Sequence, residues 1–79
     1  MKKVCVFLAD GFEEIEGLAV IDLLRRAKIY VDTISITDDY MVHGAHGINV
    51  QTEALFDEVD FSEFDMVVLP GGMPGTLNL

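Results

Sequence analysis

The stretch that decides the fold is Val4-Cys5-Val6-Phe7-Leu8-Ala9, followed at once by Asp10-Gly11-Phe12-Glu13-Glu14-Ile15-Glu16. An unbroken apolar run with β-branched and aromatic members reads as a strand buried on both faces, because a half-exposed strand would alternate. Asp10-Gly11 ends it. Asp10, with Glu13 three positions later, fits a capping box, in which two side chains satisfy backbone donors that a helix start leaves free. From about Glu13 to Ala27 the apolar period becomes helical. Gly17, Val20, Ile21 and Leu24 share one stripe, flanked by Leu18 and Leu23. Arg25 and Arg26 fall in the last turn, where positive charge opposes the helix dipole favourably.

Working outward, residues 30–37 (YVDTISIT) alternate and predict a second strand. Strand, helix and strand in succession form a βαβ unit, whose strands run parallel with a right-handed crossover. Asp38-Asp39 marks a turn. Residues 40–42 and 48–52, on either side of Gly44 and Gly47, predict a short antiparallel hairpin. Residues 57–65 hold five acids and three apolar residues, Val59, Phe61 and Phe64, and read as a solvated helical turn or loop. Residues 66–69 (MVVL) predict a third buried strand, stopped by Pro70-Gly71-Gly72, and residues 74–79 look like the start of another helix. The strands at 4–8, 30–36 and 66–69 are expected to be mutually parallel, with the first in the centre.

The totals narrow the functional classes. The chain has 79 residues, short for a free-standing α/β domain, yet 51% of them are hydrophobic. That content suits a sheet covered on both faces. The net charge of −9, from 14 acids against five bases, repels phosphate backbones and anionic membranes, so neither nucleic acid nor membrane is an expected partner. The apolar run after Met1-Lys2-Lys3 ends at Ala9, too soon for a signal peptide, and no stretch approaches the length of a membrane span. One cysteine excludes an internal disulfide. The expected location is cytoplasmic.

Open parallel sheets bind ligands beyond the carboxyl ends of their strands, which selects residues 9–16 and 70–75. No G-x-G-x-x-G follows the first strand and no phosphate loop occurs. Cys5 lies inside the buried strand, where a thiol behaves as a small hydrophobe, and is assigned to the core. His43 and His46 are close enough on a turn to suggest a metal pair. With no third ligand nearby, they read as surface or interface residues, and no metal or cofactor is expected.

Three segments carry a family resemblance: Ala9-Asp10-Gly11-Phe12-Glu13-Glu14-Ile15-Glu16, Ile21-Asp22-Leu23-Leu24-Arg25-Arg26-Ala27, and Val67-Val68-Leu69-Pro70-Gly71-Gly72-Met73-Pro74-Gly75. In order and spacing they resemble the ThiJ/PfpI family, the parkinsonism-associated deglycase superfamily. The resemblance implies a flavodoxin-like three-layer α/β/α sandwich with a mainly parallel sheet, of the class I glutamine amidotransferase-like type. Residues 1–79 would then be the N-terminal half of a single domain, inactive alone, with the nucleophile-bearing half absent and the nucleophilic cysteine after residue 79.

By position in the motifs, Glu16 corresponds to the family's proton-shuttling glutamate, and Gly72 to a glycine whose backbone N–H helps form the oxyanion hole. Judged on residue chemistry alone, Glu16 also fits a solvated helix residue, as do Glu13 and Glu14, and Gly71-Gly72 fits a tight turn. The resemblance implies a homodimeric, cofactor-independent glyoxalase or deglycase acting on a small carbonyl or a glycated protein. A redox-sensing or chaperone protein and a PfpI-type peptidase or amidase are the alternatives. The chain departs from the family at Lys28, where glycine is usual after the first helix. A left-handed cap there is less favourable for lysine than for glycine.

Overall fold

The computed structural model describes residues 2–70. β1 (Lys3–Leu8) leads into α1 (Glu14–Arg26), and β2 (Tyr30–Ser35) follows. β3 (Met41–His43) and β4 (Asn49–Gln51) form an antiparallel hairpin, with Val42 opposite Val50. β5 (Ala54–Leu55), two 3-10 turns (Phe56–Glu58 and Phe61–Glu63) and β6 (Met66–Val68) complete the described chain. The main sheet has the order β5-β2-β1-β6, and every pairing in it is parallel. β1 therefore lies inside the sheet, with Val6 beside Thr33 on one edge and Val68 on the other. The expected parallel order is borne out. The two-residue β5 was not foreseen, being too short to show a period.

Alternation along β1 sorts its side chains between the two faces. Val4, Val6 and Leu8 join Phe12, Ile21, Val31 and Val42 in one core cluster, against which Leu18, Leu24, Ile29, Val50 and Val68 pack. Each fully buried side chain of this size contributes about 1.5–3 kcal/mol relative to exposure. On α1 the stripe holds at Gly17 and Ile21, which are buried. Leu23 is 65% exposed, so the apolar flank of the helix is wider than the surface it covers.

The opposite face of the sheet carries Cys5, fully buried, and Phe7, whose ring meets Phe56 and Phe61 edge-on at 5.7 and 5.5 Å. Residues 57–65, expected as a solvated turn or loop, thus divide their work. The acids stay in solvent, while the half-buried Phe61 packs against Phe7 of β1 together with Phe56, which itself remains 44% exposed.

Two expectations are corrected. The helix is capped by Glu13, whose carboxylate accepts from the Ile15 N–H at 3.1 Å, and not by an Asp10–Glu13 box. Asp10 instead accepts from the His43 N–H at 3.0 Å, because the chain first docks on the hairpin through Phe12 and Gly44 and only then turns into α1. The strand at 66–69 is parallel as expected but not buried: Met66, Val67 and Leu69 are 55%, 46% and 60% exposed. β6 has a strand neighbour on one side only among the described residues.

α1 closes in a Schellman motif. The Lys28 N–H donates to the Arg25 carbonyl at 3.0 Å and the Ile29 N–H to the Leu24 carbonyl at 3.1 Å, while Ile29 and Leu24 both pack against the core. Lys28 holds the required left-handed conformation with φ of 65°, so the departure noted in the sequence is a strained one. Lys28→Gly is expected to stabilise the protein by about 1 kcal/mol, read as a higher midpoint in urea with an unchanged slope; an unchanged or lower midpoint would show that the strain is relieved elsewhere.

Candidate functional site

The carboxyl end of β1 opens into residues 9–13 and the first turn of α1. The hairpin tip closes over this loop through backbone bonds: the Gly11 N–H donates to the His43 carbonyl at 2.7 Å, and the Ala45 N–H to the Phe12 carbonyl at 2.9 Å. β6 runs parallel to β1 in register. The chain leaving β6 at Leu69-Pro70 therefore emerges at the same end of the sheet, the end where ligands bind in open α/β folds.

At the centre of the contact sits Glu14, the first residue of α1, only 3% exposed. Its Oε2 accepts from the backbone N–H groups of His46 at 2.7 Å and Ile48 at 3.2 Å. Its Oε1 shares a 2.8 Å hydrogen bond with His46 Nδ1. Burial pushes this carboxyl up, but the bonds from the His46 ring and from the backbone amides of Glu14, His46 and Ile48 outweigh it, holding the group at about 2. The His46 ring moves the opposite way, raised by its hydrogen bond to Glu14 and by the negative charges of Glu14 and Glu13. Gly44 is required beside the pair, since a Cβ there would run into the Glu14 carboxylate.

Glu14 was expected to be a solvated helix residue. The structure corrects this, and the physical reason is the hairpin, which brings three donors onto it. The nearest signal in the sequence was Gly44-Ala45-His46-Gly47, a glycine-flanked turn that lets backbone amides approach a ligand closely. Glu16, two residues on, is exposed. Successive helix positions turn by about 100°, so a residue two positions from Glu14 faces roughly the opposite side. Gly72 lies outside the described residues, as do Gly71 and the expected helix start at 74–79. Cys5 is buried as expected, and burial, together with the charge of Asp32, pushes its thiol up against a backbone hydrogen bond that lowers it. His43 does not pair with His46; its Nδ1 shares a 2.7 Å bond with Asn49 Oδ1. A cavity of about 440 Å³ opens on the other face, between Phe7, Ile36, Leu55, Phe56 and Leu69, and among the described residues none of Glu14, Glu16, Cys5, His43 and His46 lines it.

The family model described as the DJ-1/PfpI family matches residues 2–79. The chain belongs to that family. It is 38% identical over 72 residues to Deglycase TK1284 of Thermococcus kodakarensis, covering 89% of this chain and 42% of that protein. It is 31% identical over 86 aligned positions to the glutathione-independent glyoxalase DJ-1 of Schizosaccharomyces pombe, covering 100% of this chain and 45% of the relative. Among solved structures, the oxidised DJ-1 of Toxoplasma gondii superposes with a TM-score of 0.95 at 37% identity, over 99% of this chain and 42% of that one. The flavodoxin-like α/β fold is therefore the DJ-1 fold, and the chain spans less than half the length of each of these relatives. Among the described residues no helix is long and apolar enough to cross a membrane.

The pairing of Glu14 with His46 sets a pH window. The lowered Glu14 carboxyl contributes stability that is present above its ordinary value of 4.5 and lost as pH falls toward about 2. The raised His46 ring contributes stability that is complete below its ordinary value of 6.5 and lost as pH rises through its folded value. Glu14→Ala and Gly44→Ala are both expected to lower the thermal midpoint and to flatten its fall in acid. His46→Ala is expected to cost less, because the backbone donors to Glu14 remain. A Glu14→Ala protein with the wild-type acid profile would show that the clamp carries no stability.

Proposed function

We propose that the protein to which this chain contributes is a homodimeric, cytoplasmic, cysteine-dependent glyoxalase or deglycase acting on small reactive carbonyls such as methylglyoxal, or on their protein adducts. The observation that carries the reading is the position of Glu16. It is an exposed carboxylate on the first turn of α1, at the carboxyl end of the central parallel strand. Relatives named as a deglycase and as a glyoxalase match through this same region. In this reading residues 1–79 are the first half of one domain, and the nucleophilic cysteine comes from the half that follows.

The chemistry divides between the halves. A thiolate adds to the aldehyde carbon and the carbonyl electron pair moves onto oxygen, forming a hemithioacetal oxyanion. Backbone N–H groups, Gly72's among them, stabilise that oxyanion, which is the usual source of the largest single gain in such reactions. Glu16 moves the proton between substrate carbon and oxygen. The proton shift leaves a thioester on the cysteine; water adds to it, the C–S bond breaks, and the hydroxy acid and the thiolate are released, so no redox cofactor is called for.

The test is turnover of methylglyoxal by the full-length protein and its Glu16→Gln and Glu16→Leu variants. Both are expected to lose about 10²–10⁴-fold in kcat, with the Leu variant also raising the thiol pKa followed by thiolate absorbance. Near wild-type turnover and thiol pKa in Glu16→Leu would reduce Glu16 to a surface residue and overturn the mechanism. Peptide hydrolysis without carbonyl turnover would place the protein with peptidases instead.

A further inference from the structure

Three metal-ligating atoms converge beside Glu16 without including it. Glu13, Glu14 and His46 each bring one ligand atom to a common point, all within 4.8 Å of one another. From the ring nitrogen, Glu14 Oε1 stands 2.8 Å away and Glu13 Oε2 3.9 Å. Donors held at about 2.1 Å by a tetrahedral zinc ion stand about 3.4 Å apart, so the two spacings straddle that separation. We infer that Glu13, Glu14 and His46 form a binding site for a divalent transition ion of the zinc type, joining the start of α1 to the hairpin tip.

The ligand chemistry is that of such ions, an imidazole nitrogen with carboxylate oxygens. Both carboxylates also have their other oxygen already engaged. Glu14 Oε2 is held by the His46 and Ile48 amides, and Glu13 Oε1 by the Ile15 amide. Outer partners of this kind orient ligating groups before the ion arrives. One side of the site stays open, since the His46 side chain is 70% exposed. A hollow of about 220 Å³ beside the three side chains, walled in part by Ile15 and Ile48, gives an ion a path of entry, and water from the open side at His46 completes the coordination. Without the ion, a proton bridges Nδ1 and Oε1. Binding replaces that proton, which leaves to solvent. The positive end of α1 opposes a cation with about half a unit charge, against two full carboxylate charges.

Co²⁺ is the probe, because its visible spectrum reports coordination, and the full-length protein at neutral pH is the sample. The expected result is one equivalent bound, displaced by Zn²⁺, with an absorption of low-coordinate nitrogen and oxygen ligation and no thiolate charge-transfer band. Glu13→Gln, which keeps the oxygen that caps Ile15, is expected to weaken binding more than about tenfold, as is His46→Ala. His43→Ala should bind as the wild type does. Should His46→Ala fail to fold by circular dichroism, Glu13→Gln decides the matter. Unchanged affinity in Glu13→Gln, a thiolate band, or no saturable binding below about 1 mM Co²⁺ overturns the site.

Discussion

Everything in the described chain hangs on β1 being hydrogen-bonded along both edges and covered on both faces. Parallel pairing with β2 uses one row of its backbone groups and pairing with β6 the other. α1 with Phe12 and the hairpin covers Val4, Val6 and Leu8, while Phe56 and Phe61 cover Phe7. A strand in that position cannot move without breaking two ladders at once. Its carboxyl end is therefore a fixed point, and the loop leaving it is where a side chain can be placed reproducibly for chemistry.

The Glu14 clamp extends that rigidity outward by one turn. A helix start leaves backbone donors free, and a turn such as 44–48 also presents its amides. Here a single buried carboxylate takes two amides and an imidazole from the turn, and Glu13 caps the helix beside it. The consequence for Glu16 is orientation. With Glu14 committed to the hairpin, the helix cannot rotate, and Glu16 is held on the side away from it. The two faces of the sheet are treated unequally in the described residues. α1 lies on one face. On the other, the aromatic cluster leaves a cavity of about 440 Å³ open. A right-handed crossover from β6 to a strand beyond it would lay its helix on that second face, which is the layer the sandwich calls for.

Much of this was legible in the residues. The unbroken run at 4–9, the helical stripe from Gly17 to Leu24 and the apolar 66–69 each carry a period that local chemistry imposes. Lys28 was legible only through the family resemblance, which places glycine after the first helix, and its φ of 65° bears out the unfavourable cap. The exposure of Met66 and Val67 could not be read from their apolarity, because apolarity states a preference for cover and not who supplies it. The capping box failed for a related reason. Asp10 had a local partner in Glu13 by spacing, but a distant one in the His43 amide took it.

The three acids at 13, 14 and 16 show where the line falls. Sequence alone determined that a helix begins here, after a buried strand and at the end of a parallel sheet, because backbone sterics and apolar periodicity act over a few neighbouring residues. It also marked residues 9–16, by topology, as one of the places where ligands would bind. Which glutamate is buried and paired, and which stays exposed, was decided only by the tertiary structure. That choice depends on amides and an imidazole 32 to 34 positions away, brought to Glu14 by a hairpin whose docking no local pattern encodes.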